Sequence, residues 1–202
     1  MDEPLSNLDA KLRQDMRLEI RALQERLKMT VVYVTHDQAE AMSMSDKVIL
    51  MREGLIEQEG TPDELYNNPG TTFVAEFIGT PPMSLLQTAT LKSGMTIKGE
   101  NNTPVLASTN DEVLMGIRPE HIEIIDGSGR KGISVKLLTA EYQGADTIVT
   151  ARIGDQKILV RAPGRVAVTE NSQARLRWKK EDVHIFDAIT GLRNNDIKAL
   201  SI

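Results

Sequence analysis

Apolar residues recur with helical spacing at the start of the chain. Leu12, Met16, Ile20, Leu23 and Leu27 share one face, whereas Lys11, Arg13, Arg17, Arg21 and Glu25 fall largely elsewhere, so a long amphipathic helix is expected. Residues 30–34 form a β-branched and aromatic run, short enough for a buried strand. Asp37, followed by Glu40, reads as a capping box opening a helix through Met42. Residues 46–51 make a further apolar strand, Glu53-Gly54 a turn, and residues 55–59 a returning hairpin strand of alternating character. Thr61-Pro62-Asp63-Glu64 starts a helix with proline at its first position, and a short helix is expected over residues 72–78.

Gly79-Thr80-Pro81-Pro82 breaks this pattern and marks the expected domain boundary. Beyond it, short strand candidates cover residues 85–91, 105–107, 113–117, 122–125, 133–140, 147–153, 158–161, 174–178 and 183–186. Turn residues separate them at intervals that suit a small barrel or sandwich. Trp178 ends one of these strands and is assigned to core or interface packing.

Composition narrows the function classes. A chain of 202 residues with 40% hydrophobic and 26% charged residues can bury a core. The net charge of −5, with few aromatics and no dense basic stripe, argues against a nucleic-acid partner. The absence of cysteine removes disulfides and thiolate metal sites and fits a reducing compartment. No apolar run is long enough to span a bilayer, and acids stand where a signal peptide carries positive charge; the expectation is a cytoplasmic protein.

Candidate chemistry concentrates in two short strings. Asp2 and Glu3 lead into a tight turn, and His36 follows the run at residues 30–34. Magnesium-dependent phosphoanhydride hydrolysis uses one carboxylate near the metal and β- and γ-phosphates, and a second to orient or deprotonate water. An imidazole can stabilise charge developing on the γ-phosphate. Taken alone, the acids also read as a solvated surface pair, and Thr35-His36-Asp37 as a turn with a helix cap.

The longer strings carry a resemblance. Asp2-Glu3-Pro4-Leu5-Ser6-Asn7-Leu8-Asp9-Ala10 resembles the Walker B and D-loop segment of ABC-transporter ATPases, and Val34-Thr35-His36-Asp37-Gln38-Ala39-Glu40-Ala41-Met42 resembles their switch-histidine segment. Gly116-Ile117-Arg118-Pro119-Glu120-His121 and the segment from Trp178 to Asp187 resemble the appended TOBE domain of carbohydrate importers of the maltose and glycerol-3-phosphate type. The implied fold class is α/β + β. An incomplete RecA-like ABC ATPase domain (its C-terminal half) occupies residues 1–80, and an OB-type (TOBE) β-barrel domain occupies 81–202. The resemblance implies that Asp2 is the magnesium-associated acid, Glu3 the catalytic glutamate and His36 the γ-phosphate switch. Ser6, Asn7 and Asp9 become a D-loop facing the nucleotide site of a second copy. Implied partners are that second copy, membrane permease subunits, and a regulatory ligand or protein at the TOBE domain. The implied place is the inner face of the cell membrane, and the implied cargo a sugar, polyol or glycerol phosphate.

The sequence departs from the family in containing neither a Gly-x-x-x-x-Gly-Lys-Ser/Thr phosphate loop nor a Leu-Ser-Gly-Gly-Gln signature. The expectation is a C-terminal part of a longer subunit. ATP and Mg2+ serve the intact subunit, and neither binds this chain tightly by itself. Residues 1–80 are accordingly expected to be less stable than the β domain, with residues 30–34 left an unpaired edge. Two readings from other classes stay open: a stand-alone regulatory or small-ligand module, and a dimerisation module. The string Gly127-Ser128-Gly129-Arg130-Lys131-Gly132 matches a dinucleotide fingerprint in letters, but a strand-like segment follows it, so a β-turn is expected. Arg118, Glu120 and His121 are expected to anchor a turn, with ligand contact as the alternative.

Overall fold

The computed structural model describes every residue except 101–102, 109–111, 126–131 and 170. The string 127–132 thus lies, Gly132 apart, outside the described residues. The chain divides into two compact units, Met1–Pro69 and Gly70–Ile202. The division falls one short helix before the boundary expected at residues 79–82.

In the first unit, α1 (Ala10–Leu27) begins where the Asp9 carboxylate accepts from the Leu12 amide at 2.9 Å, and it stops at Lys28, whose φ of 52° is left-handed. Helix α2 (Gln38–Met44) is capped by Asp37, whose side chain accepts from the amides of Ala39 and Glu40. Strands β1 (Val48–Arg52) and β2 (Leu55–Gly60) pair antiparallel across Glu53 and Gly54, at φ 52° and 80°. Positive φ at both central residues is the hairpin turn whose twist matches its strands. Helix α3 (Pro62–Asn67) carries the capping box of Thr61 and Glu64, with proline in its first turn.

Three expectations for this unit need correction. No residue of α1 is buried; Leu12, Leu18, Leu23 and Leu27 are exposed, and its polar face does the docking instead. Arg21 donates to the Met44 carbonyl at 3.0 Å and pairs with Asp46 and Glu25, each at 2.8 Å. Residues 30–34 form no regular strand. They make one parallel bridge, between Asp2 and Val34, and Val32 and Val34 stay exposed because no strand covers their other side among the described residues. The Asp37–Glu40 capping box is half made, because Glu40 spends its carboxylate elsewhere, as described below.

In the second unit, α4 (Thr72–Phe77) starts at Thr71, whose hydroxyl accepts from the Val74 amide. Ala75 packs with Met83 and Phe186, so this helix belongs to the β domain rather than to what precedes it. Strands β3 (Ser84–Leu91), β4 (Gly94–Ile97), β5 (Val113–Ile117), β6 (Glu123–Ile125), β7 (Ile133–Tyr142), β8 (Asp146–Ile153), β9 (Gln156–Pro163), β10 (Gln173–Arg177) and β11 (Val183–Asp187) follow. They form a five-stranded sheet, β6-β10-β7-β8-β9, and a four-stranded sheet, β11-β5-β3-β4, all antiparallel. No continuous ladder closes the two sheets into a barrel among the described residues; they share one core, which includes Leu86, Ile97, Met115, Ile133, Val149, Val160, Leu176 and Trp178. This is an OB-type antiparallel β architecture with its strands divided between two sheets. Strand β4 was not expected, and residues 105–107 contribute only isolated bridges from Leu106 to Met95 and Ala199. Among the described residues no helix is long and apolar enough to cross a membrane.

Candidate active site

The candidate site of the first unit is assembled by the turn after Asp2 and by the cap of α2. The parallel bridge sets its frame: the Val34 amide donates to the Met1 carbonyl at 2.9 Å, and the Glu3 amide donates to the Val34 carbonyl at 2.8 Å. Asp2 and Glu3 are thereby held beside Thr35 and His36 despite the long helix between them in sequence.

Glu3 has a φ of 41°, in the left-handed region that non-glycine residues rarely enter. That conformation reverses the chain into a tight turn, in which the Glu3 carbonyl accepts from the Ser6 amide at 3.3 Å and the Ser6 hydroxyl at 2.9 Å. Leu5 is buried beneath the turn, and Asn7 is exposed. Asp9 spends its carboxylate on the cap of α1.

His36 Nδ1 lies 2.9 Å from Glu3 Oε1. This contact occupies one ring nitrogen and leaves Nε2 for another partner. The hydrogen bond and the charge of Glu3 raise the His36 pKa above its ordinary value. Both side chains remain open to water, at 73% and 45% of their full exposure, so solvent and salt screen the pair.

Behind the pair sits a polar network that sequence reasoning missed. Glu40, only 3% exposed, accepts from the Tyr33 hydroxyl at 2.9 Å and the Thr35 hydroxyl at 2.7 Å. Burial, then the bond to Glu40, raises the Tyr33 pKa, so the phenol stays a donor. The Thr35 hydroxyl in turn accepts from the Asp37 amide at 3.0 Å. Arg13, assigned from sequence to a polar helical face, reaches Asp37 at 3.3 Å and the Leu8 carbonyl at 3.1 Å, tying the turn to the cap of α2. A signal existed for Arg13, which stands one helical turn beyond the cap residue Asp9.

Glu3, Ser6, Arg13, Thr35 and His36 border a cleft of about 30 Å3, room for a water molecule. Among the described residues no three His, Cys, Asp or Glu side chains converge as a metal cage. Asp2 offers a single exposed carboxylate. That donor set suits Mg2+, which takes one or two carboxylates and fills its shell with phosphate and water oxygens.

Comparison with known proteins bears on what this arrangement serves. The TOBE domain family matches residues 115–186. The sn-glycerol-3-phosphate import ATP-binding protein UgpC of Cereibacter sphaeroides is 40% identical over 96% of this chain and 55% of its own length. The ABC transporter ATP-binding protein y4oS of Sinorhizobium fredii is 44% identical over 95% of this chain and 53% of its own. The chain is a relative of the ATP-binding proteins of ABC importers. The sulfoquinovosyl glycerol transport ATP-binding protein SmoE of Agrobacterium fabrum is similar too, 39% identical over 94% of this chain and 55% of its own. The chain spans about half the length of the curated relatives it matches.

Proposed function

We propose that this chain supplies the hydrolytic acid and the switch histidine of an ABC importer ATPase. The observation that carries the reading is the 2.9 Å contact between Glu3 and His36, made by two segments that the parallel bridge brings together. In this reading Glu3 orients the attacking water and draws its proton, while His36, positioned through Nδ1, presents Nε2 to the γ-phosphate. Asp2 would hold the magnesium that accompanies ATP, and that ion would neutralise phosphate charge. Ser6, Asn7 and Asp9 form the rim facing a second copy, with Asp9 acting through the cap of α1.

Two copies sandwich ATP and drive membrane permease subunits from the cytoplasmic face. The cargo is a sugar, polyol or glycerol phosphate, in line with the names of the relatives. The exposed apolar side chains of α1 and of residues 30–34 are the surface that the rest of a relative-length subunit covers. By itself the 202-residue chain turns over ATP negligibly.

The test uses a protein of the relatives' length that contains this chain. Glu3→Gln should lower ATP turnover by about 10²-fold or more while ATP binding persists, and His36→Ala should do likewise. Turnover unchanged in Glu3→Gln sinks the assignment.

A further inference from the structure

The register of the five-stranded sheet creates a charge pattern that the linear sequence does not display. Lys136 on β7 stands directly opposite Arg152 on β8, and Arg152 stands directly opposite Lys157 on β9. Their neighbours along the strands, Val135, Leu137, Ala151, Ile153 and Ile158, are buried in the core. Strand alternation therefore turns all three cations to the outer face, where each is exposed. The result is a row of three positive side chains across three adjacent strands, in a chain whose net charge is −5.

Like charges directly opposite one another destabilise a sheet. Other cations of the same sheet are engaged. Arg177 of β10 pairs with Glu123 of β6, Arg161 of β9 pairs with Asp146 of β8 at 2.7 Å, and Arg175 donates to the Gly132 carbonyl. Lys136, Arg152 and Lys157 make no ion pair among the described residues, not even with Asp155 in the turn that joins β8 to β9. The row is also firmly mounted. Gln156, next to Lys157, donates to the Gln87 and Lys98 carbonyls at 3.1 and 2.9 Å and accepts from the Gln87 amide at 2.7 Å, tying this end of the hairpin to the other sheet. Gln173 extends the row on β10, opposite Lys136, and is exposed.

We propose that the row of Lys136, Arg152 and Lys157, on the outer face of the five-stranded sheet, docks a carboxylate-rich segment of a partner protein. Charge complementarity identifies the occupant, because three unpaired cations held side by side call for closely spaced anions. Carboxylates on alternate residues of an extended chain fall about 7 Å apart, within reach of long side chains on strands about 5 Å apart. The exposed hydroxyl of Ser134 and amide of Gln173 add polar contacts. None of the exposed large apolar side chains stands at these positions, so a membrane finds nothing to take up, and no aromatic ring stands in the row for bases to stack on. The inference rests on the second unit alone and is independent of the ATPase reading.

The experiment is fluorescence anisotropy of a labelled synthetic peptide of alternating glutamate and serine, titrated with the full chain. Saturable binding at low ionic strength, weakening as salt rises, is expected. The Lys136→Gln/Arg152→Gln/Lys157→Gln variant should weaken it by about tenfold or more, and Arg152→Glu alone should weaken it too. Lys11→Gln/Arg26→Gln/Lys28→Gln, which removes the same charge from the first unit, should retain the affinity. Relief of the like-charge row should leave the Tm of the first variant unchanged or raised, which separates lost docking from lost folding. Equal weakening in both triple variants would report net charge alone and overturn the proposal. Absence of saturable binding overturns it as well, and so does tighter binding of phosphatidylglycerol vesicles or of a single-stranded oligonucleotide than of the peptide.

Discussion

His36 and Glu3 are joined by a 2.9 Å hydrogen bond between side chains that both remain largely in water. The bond raises the His36 pKa above 6.5, its ordinary value. A raised folded-state pKa adds stability that is present below the unfolded value and lost as pH rises through the folded one. Ring-proton NMR of His36 should therefore show a midpoint above that of a free histidine. Glu3→Gln should bring the midpoint back down, and so should high salt, because exposed pairs are screened. A midpoint indifferent to Glu3→Gln means that the pair does not persist in solution.

Glu40 is the internal brace of the same unit. Removing its carboxylate in Glu40→Ala strands the Tyr33 and Thr35 hydroxyls in a partly buried setting and breaks the link from the extended segment to α2. An unsatisfied buried donor is unfavourable by roughly 1–3 kcal/mol, so Glu40→Ala should lower the urea midpoint of the first unit. Glu40→Gln retains one acceptor and should fall between the two. The check is denaturant unfolding followed by the fluorescence of Tyr33 and far-ultraviolet dichroism.

Local rules made parts of this fold readable. Thr61, Pro62 and Glu64 announce α3 because a capping box and an N-terminal proline act within four residues. The hairpin at Glu53-Gly54 and most β-domain strands follow from turn chemistry and alternation. What failed were several expectations that depended on partners distant in sequence. The apolar faces of α1 and of residues 30–34 have a burial pattern in their letters, yet nothing apolar covers them among the described residues. Glu40 looked like a cap residue because spacing says nothing about Tyr33 and Thr35 reaching its carboxylate first. Strand β4 was hidden by Gly94 and Thr96, and the packing of α4 against Phe186 was hidden by the proline and glycine that follow that helix. Of the site, Asp2, Glu3 and His36 were legible only through a family resemblance; their side-chain geometry depends on a bridge between Asp2 and Val34 that no local pattern encodes.

Gly116 tests the packing of the four-stranded sheet. A Cβ there would stand 2.6 Å from Met83 Sδ and 2.9 Å from Phe186 Cε2, closer than real contacts allow. The Phe186 ring is fully buried and cannot swing to solvent, so the strain passes to the Ala75–Met83–Phe186 cluster beside α4. Gly116→Ala should destabilise the second unit by about 1–3 kcal/mol, the usual effect of overpacking. Pairing it with Met83→Ala should recover part of the loss, beyond what additivity of the single variants predicts, in a thermal-unfolding double-mutant cycle.

His184 sets the acid limit of the β domain. It lies on β11 at 8% exposure, its Nδ1 has no hydrogen-bond partner, and Arg193, Arg118 and His121 act on it electrostatically. Burial first, and these interactions second, push its pKa from 6.5 down to about 4. The folded state therefore resists a proton that the unfolded state accepts, and stability is full above the unfolded value and falls as pH drops towards the folded one. At 1.36 kcal/mol per unit, the loss across that window is roughly 3 kcal/mol. Urea unfolding of the second unit between pH 7 and 4, followed by Trp178 fluorescence, should show this decline. His184→Phe removes the titrating group and should flatten the curve over the same window, even if the larger ring lowers stability at every pH. A slope unchanged in His184→Phe would place the acid sensitivity on other groups and reject this account.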